Sequence, residues 1–283
     1  MDVFFQELKR QLNFKRFLTY VLIAIALAAL WTWFIIGMYT EDFMQTGCYK
    51  GYKGTSAIEV ACKDRVGNEG EMTLDKFQSG CDIFLKSLQG RNQDNIVINK
   101  ELLKYAVYAD QLIKQEFRLR NMIGKSMSDI LHISKDAGRN FYKNEDLLYS
   151  NHIDKKAVNE IEKTLAFSLL DKVKKPYTYY TGYKQWNDGI NHIVFLSFVL
   201  MIMLGIFSSC IISNDKENGM DEIIKTTVKG RKSLTIAKIS IPLIMASIIY
   251  ICGVGVYVLL LKYLLPSNAL NTSIQISNKN FLP

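Results

Sequence analysis

Few residues of this sequence are spaced as catalytic or ligand-binding motifs require. Gly124-Lys125-Ser126 matches the end of a phosphate-binding loop, but the pattern GxxxxGK[ST] also requires a glycine where this chain has Leu119. No serine, histidine and aspartate set indicates nucleophilic catalysis. The three histidines, His132, His152 and His192, also lack the spacing of metal ligands. We therefore expect no enzyme activity, no metal site and no cofactor.

The five cysteines do not change this conclusion. Cys210 and Cys252 lie in apolar segments, where a thiol behaves as a small apolar side chain. Cys48, Cys62 and Cys81 are odd in number, so at most one disulfide bond can form among them within one chain. The sequence leaves their pairing open, and it contains no CxxC motif.

Three long apolar segments organise the chain. They are Phe17–Met38, Ile190–Ile212 and Ile239–Leu261, and the only residue in them that can ionise near neutral pH is His192. A hydrocarbon core ~30 Å thick requires about 20 residues of helix. Only a helix can cross as a single segment, because lipid offers no partner to backbone N–H and C=O groups. The sequence therefore predicts an all-α membrane protein with three transmembrane helices.

Basic residues predict the orientation in the membrane. Four of them precede the first apolar segment, and six lie in the short connection between the second and third. Because short basic loops stay in the cytoplasm, we place the N-terminus and this connection inside. The large domain then lies outside, where 23 basic and 21 acidic residues nearly balance. The net charge of +8 therefore does not indicate a nucleic-acid partner.

This topology divides the chain into seven segments. They are a cytoplasmic interfacial helix (1–16), a first transmembrane helix (17–38), an extracytoplasmic helical domain (39–189), a second transmembrane helix (190–213), a cytoplasmic loop (214–238), a third transmembrane helix (239–261) and an outer tail (262–283).

Local patterns predict the elements of these segments. Phe4, Phe5, Leu8 and Leu12 form one apolar stripe of an amphipathic helix that we expect to lie on the lipid, with Glu7 turned away from it. The stretch Tyr49–Gly70 is rich in glycine, and we expect a loop or a small hairpin there. Capping residues followed by apolar residues at helical spacing predict three helices in the large domain. These helices begin at Thr73, Asn99 and Asp154 and end near Gly90, Phe117 and Pro176.

Aromatic residues accumulate just before the second apolar segment, as in the headgroup belt of many membrane proteins. We interpret them as such a belt, with an aromatic ligand cage as the alternative. They are Tyr177, Tyr179, Tyr180, Tyr183 and Trp186.

The connection between the second and third apolar segments carries the most informative pattern. Asp215 or Asp221 can cap a short helix, Met220–Val228, which Gly230 would end. Such a helix across the inner ends of two spans suits docking on a partner, and a tight basic turn is the alternative.

The residues of this connection also resemble those of one transporter family. The pattern combines Glu217-Asn218-Gly219, Asp221, Ile223-Ile224, Thr227, Gly230-Arg231, Leu234 and Ala237-Lys238. It resembles the cytoplasmic loop of ABC-2-type transporter permeases, and Gly182-Tyr183-Lys184 is similar to a Gly-Trp-Lys found in such permeases. Two features depart from the family: Met220 stands where a threonine is usual, and the chain has three spans rather than six, as in an N-terminal half.

The resemblance implies a function. The chain would be the transmembrane subunit of a bacterial ABC exporter of peptides, drugs or lipid-like molecules. Its partners would be a cytoplasmic ABC ATPase, a second permease subunit or second copy, and the lipid bilayer of the cell membrane. A receptor with a ligand-binding outer domain and a mechanotransmission-type permease are the alternatives. The residues expected to couple to the ATPase are Glu217, Gly219, Met220, Asp221, Ile223, Ile224, Thr227, Gly230, Arg231 and Lys232.

Overall fold

The computed structural model describes residues 2–38, 51–88, 100–124, 133–217 and 230–277. These residues are almost entirely helical, and the chain divides into two compact units. The first, here called the span unit, comprises Met1–Met38 and Asn187–Leu264. The second, here called the helical domain, comprises Tyr39–Trp186 and Leu265–Pro283.

Among the described residues, three helices are long and apolar enough to cross a membrane, and all but the first four residues of the second belong to the span unit. They confirm the predicted all-α membrane fold. A short helix, α1 (Asp2–Gln11), precedes α2 (Phe14–Thr32), which continues through a π-helical turn, Trp33–Gly37. The other two are α9 (Tyr183–Glu217) and α10 (Gly230–Leu264), each of 35 residues.

Small residues allow α2 and α10 to approach closely. Ala24 and Ala28 of α2 are fully buried, and a Cβ atom at Gly253 of α10 would lie 3.3 Å from the Cβ of Ala24. The same Cβ would lie 3.1 Å from the Cδ1 atom of Leu200, so α9 reaches this level as well. In lipid, where no hydrophobic effect holds helices together, such close contact favours association by dispersion.

Hydrogen bonds between α9 and α10 add to this packing. The hydroxyl of Tyr257 donates to the backbone oxygen of Gly189 over 2.9 Å, and the hydroxyls of Ser197 and Tyr250 lie 2.8 Å apart. Both contacts satisfy polar groups that lipid could not solvate.

The N-terminal helix α1 forms as predicted. It packs against α10, with Glu7 only 6% exposed and Phe5 60% exposed. The carboxylate of Glu7 accepts hydrogen bonds from Arg10 and Gln11, and these partners permit its burial. The position of the apolar stripe at the lipid surface stays a prediction.

Between the first two spans, the described residues of the helical domain contain six helices and one two-residue strand pair. Strand β1 (Gly70–Glu71) pairs antiparallel with β2 (Thr178–Tyr179), and Gly70 lies opposite Tyr179. A 3-10 turn, Ser267–Asn271, and α11 (Ile274–Ser277) return to this ribbon. The helices are α3 (Gly54–Asp64), α4 (Leu74–Leu88), α5 (Lys100–Lys104), α6 (Ala106–Met122), α7 (Phe141–Lys156) and α8 (Glu160–Asp171).

Aromatic rings form the core of this domain. Phe77 of α4 stacks on Phe141 of α7 with ring centroids 3.7 Å apart, and Tyr108 of α6 meets Phe77 edge-on. Tyr177, which directly precedes β2, also belongs to this cluster and meets Phe141 edge-on. Ile276 from α11 is also in this core, so part of the predicted outer tail belongs to the domain.

Of the helices predicted in this domain, the first begins where the sequence indicates, and α5 begins at Lys100, directly after the predicted cap Asn99, which lies outside the described residues. The hydroxyl of Thr73 accepts from the N–H of Lys76, as expected of a capping residue. The second predicted helix is interrupted at Tyr105, which divides it into α5 and α6. The third is wrong at its start, because Asp154 lies inside α7 and Asn159 caps α8. The predicted loop or hairpin at Tyr49–Gly70 contains α3 instead.

The predicted aromatic belt is also corrected. Tyr177 and Tyr179 are 1% exposed, and Tyr183 and Trp186 are buried too. The indole N–H of Trp186 donates to the backbone oxygen of Pro266 over 2.9 Å. Tyr177, Tyr179 and Tyr183 belong to the core of the helical domain, and these four buried rings are not available to headgroups, whereas Tyr180 is half-buried.

Candidate functional site

Four of the predicted coupling residues lie at the ends of α9 and α10. Glu217 is the last residue of α9, and Gly230, Arg231 and Lys232 are the first three of α10. The predicted helix Met220–Val228 lies outside the described residues. The other predicted coupling residues also lie outside them: Gly219, Met220, Asp221, Ile223, Ile224 and Thr227.

Both helices extend beyond their apolar segments into the predicted loop. The polar residues Asn214–Glu217 continue α9, and Gly230–Lys238 adds nine residues to the start of α10. At 1.5 Å per residue, the extension of α10 is about 13 Å long. A molecule bound near the predicted coupling residues would therefore act on helical backbone that is continuous with two apolar spans.

Charge at the start of α10 is unusual for a helix. Its first turn has no acidic residue and contains Arg231 and Lys232. Cations at the positive end of the helix dipole weaken a helix, so helix stability alone does not account for these residues. Arg231 and Lys232 belong to the basic residues that predict a cytoplasmic position for this connection.

Pro242 lies at the base of this extension. It is buried inside α10 and has no N–H to donate to the backbone oxygen of Lys238. An interior proline costs a helix ~3 kcal/mol and is the commonest cause of a kink. Pro242 therefore marks the weakest point between the extension and the apolar part of α10.

A groove of about 460 Å³ opens between α9 and α10 just after this proline. Several of the residues that line it have small side chains: Gly205, Ser208, Ala246 and Ser247. Ser247 donates to the backbone oxygen of Leu243 over 2.8 Å, so its hydroxyl is satisfied within its own helix. The groove is thus mainly apolar, as suits an acyl chain or another helix.

His192 is the residue of the three apolar segments that can ionise near neutral pH. It lies in α9, with its ring centroid 6.4 Å from Trp31 of α2 and 5.6 Å from Phe195. Among the described residues, neither its Nδ1 atom nor the Nε1 atom of Trp31 has a hydrogen-bond partner. An ionisable side chain in a span is a reason in itself to suspect function.

The helical domain has a separate cavity of about 300 Å³, lined by Cys62, Glu69, Tyr180 and Thr181 among others. Glu69 accepts the backbone N–H of Thr181 over 2.9 Å, so this carboxylate has a structural partner. No cluster of histidine, cysteine and acidic side chains among the described residues could hold a metal ion. Gly124, from the incomplete phosphate-loop motif, ends α6 with φ of +68°.

Comparisons with known proteins found no relative. No family model matches the chain, and neither the curated proteins nor the solved structures gave a match.

Proposed function

We propose that this chain is the transmembrane subunit of an ABC-type exporter and that a separate cytoplasmic ATPase binds at the connection between α9 and α10. The observation that carries the proposal is the arrangement of these two helices. Both 35-residue helices continue from an apolar span into the polar residues of the connection. The resemblance of residues 217–238 to permease loops supports the same conclusion.

The proposed mechanism is mechanical. Closure of the ATPase around ATP would displace the connection, and the extension Gly230–Lys238 would move as a lever about Pro242. The groove between α9 and α10 lies next to this proline, so a change of angle there would widen or narrow it. Such coupling requires the ATPase to contact the two conformations differently, since a ligand shifts an equilibrium only through differential affinity.

The orientation belongs to the same proposal. With Lys9, Arg10, Lys15 and Arg16 before α2 and the basic connection after α9, the N-terminus and the connection lie in the cytoplasm. The helical domain then lies outside a bacterial cell membrane, and the chain crosses the bilayer three times. A second permease subunit or a second copy would complete the pathway for a peptide, drug or lipid-like substrate.

Recovery of the ATPase from detergent extracts tests the docking step. Ile223→Asp and Ile224→Asp should each abolish co-purification of a cytoplasmic ATPase with the tagged chain. A carboxylate placed in an apolar contact without a partner costs more than a modest interface can lose. Asp221→Ala is the matched control in the same segment, because loss of a cap costs only about 1 kcal/mol and should leave most of the recovery intact.

Membrane insertion of each variant is measured in parallel, by carbonate extraction. Equal recovery of the ATPase with the original chain and with both isoleucine variants would show that this connection is not the docking element. Failure to recover an ATPase with the original chain would favour the receptor alternative.

A further inference from the structure

Helix α8 is stabilised at its start by local contacts rather than by burial. The side chain of Asn159 accepts the N–H of Glu162 over 2.8 Å, and the carboxylate of Glu162 accepts the N–H of Val158 over 2.9 Å. These reciprocal bonds cap the helix. No residue of α8 is buried among the described residues, so the apolar side chains of this helix do not contribute to a core.

One face of α8 carries an exposed apolar stripe. Val158 and Ile161 are 87% and 83% exposed, and Leu165 and Leu169 are 59% and 56% exposed. The spacing of four residues puts Ile161, Leu165 and Leu169 on one side of the helix, and Val158 lies just before the helix, next to its cap Asn159. A contiguous apolar stripe of this kind, rather than scattered apolar residues, marks a surface that binds something.

Exposed lysines flank both ends of the stripe. Lys155 and Lys156 end α7, and Lys172 and Lys174 follow α8. The nearby acidic groups are less available: Glu162 is used in the cap, and Asp154 forms an ion pair with Lys163 over 2.7 Å. Glu160 and Asp171 lie on the side of the helix away from the stripe, more than 100° around its axis at 100° per residue.

We propose that α8 binds the surface of an anionic bilayer, with the stripe at the boundary between headgroups and acyl chains and the flanking lysines on the headgroup phosphates. An apolar face bordered by lysines is the pattern of helices that lie in this interface. Because the same chain contains three apolar spans, a bilayer is held close to the helical domain at high effective concentration.

A second copy fits this surface less well. If two copies met through the stripe about a two-fold axis, Lys155, Lys156, Lys172 and Lys174 of each would approach those of the other. Like charges facing each other oppose association, whereas anionic headgroups attract all four lysines. The charge around the stripe therefore selects lipid over self-association.

Fluorescence from single positions tests the proposal on the full chain. With the native cysteines replaced by serine, Leu165→Cys and Thr164→Cys are each labelled with an environment-sensitive dye. Thr164 is the matched control, since it is exposed on the polar side of the same turn. The variants are reconstituted in vesicles of phosphatidylcholine with or without phosphatidylglycerol, and spin-labelled lipids serve as quenchers.

We expect a blue-shifted emission and at least two-fold stronger quenching at position 165 than at position 164, increasing with the phosphatidylglycerol content. Exchanging Lys172 and Lys174 for glutamine should remove that increase. Equal quenching at both positions, or none at position 165, would overturn the proposal. Disulfide-linked dimers through unlabelled Leu165→Cys without lipid quenching would show instead that the stripe binds a second copy.

Discussion

Tyr142 joins parts of the helical domain that are distant in sequence. Its hydroxyl donates to the backbone oxygen of Met72 over 2.6 Å and accepts the backbone N–H of Tyr177 over 2.9 Å. Tyr142→Phe leaves that buried N–H without its partner, which costs about 1–3 kcal/mol. We expect a lower melting temperature of the helical domain, measured by near-ultraviolet circular dichroism in detergent. Tyr180→Phe is the control, because its hydroxyl makes no hydrogen bond to the described residues, and an equal loss in both variants would contradict this role.

The same tyrosine predicts a dependence on pH. Burial raises the pKa of Tyr142 from about 10 to about 12, against the opposing effect of its hydrogen bond with Tyr177. Burial also raises the pKa values of Tyr108 and Tyr177. The unfolded chain therefore loses these protons first, so the contribution of Tyr142 to the stability is complete below pH ~10 and is lost as the pH rises from ~10 to ~12. Urea denaturation across this range should show a shallower fall for Tyr142→Phe than for the original chain.

The burial of individual polar residues could not be predicted from the sequence. Glu145 is 3% exposed and accepts hydrogen bonds from Gln115 and Arg118, so a charged residue of an apparently polar helix lies inside. Its partners are 27 and 30 positions away, and no local pattern connects them. In contrast, Thr73 could be predicted as a cap because its partner lies only three residues ahead.

Gly138 fixes the distance between α4 and the turn that precedes α7. A Cβ atom at this position would lie 2.5 Å from backbone atoms of Gln78, closer than any real contact. Gly138→Ala must therefore separate the two elements, at a cost of about 1–3 kcal/mol or more. Hydrogen exchange should show lost protection in α4 and α7.

The control is Gly205→Ala, where no neighbour lies within 4 Å of an added Cβ atom. Alanine there should be neutral or slightly stabilising, because it favours helix over glycine. Unchanged exchange in Gly138→Ala would mean that the domain accommodates the separation.

The prediction of the spans succeeded and that of the helical domain succeeded only in part, for a physical reason. A span is defined by a long run of apolar residues, which lipid requires regardless of the neighbouring elements. In the helical domain, two capping candidates, Asp154 and Asn159, compete within six residues, and the second is used: α7 continues to Lys156, and the side chain of Asn159 accepts the N–H of Glu162. The helix α3 follows glycines that indicate a turn, and its buried Ala57 and Ala61 give only a faint apolar pattern.

Pro242 is expected to govern the stiffness of α10. Pro242→Ala restores the N–H that can donate to the backbone oxygen of Lys238, and the helix gains up to ~3 kcal/mol locally. Hydrogen exchange of residues 236–246 should become slower by at least ten-fold in the purified chain. Leu243→Ala, the neighbouring change that leaves the backbone bonds intact, should not slow it. Equal exchange in the original chain and Pro242→Ala would show that the proline is not a point of weakness.

The whole molecule has two units with different requirements of their surroundings. The span unit exposes large apolar side chains such as Ile239 and Leu259, which only lipid or another apolar partner can cover. The helical domain has an aromatic core and, apart from the stripe on α8, carries mostly charged and polar groups on the surface of its described residues.

Labelling in intact cells tests which side of the membrane each unit occupies. In a chain whose native cysteines are replaced by serine, Val66→Cys should react with an impermeant thiol reagent, because Val66 is 76% exposed in the helical domain. Lys229→Cys, in the basic connection, should react only after the cells are permeabilised. The native Cys81 is a poor probe, since it is 1% exposed and burial raises the pKa of its thiol, which lowers the fraction of reactive thiolate. Reaction at position 229 from outside, with position 66 protected, would invert the orientation and remove the cytoplasmic ATPase as a partner of the connection.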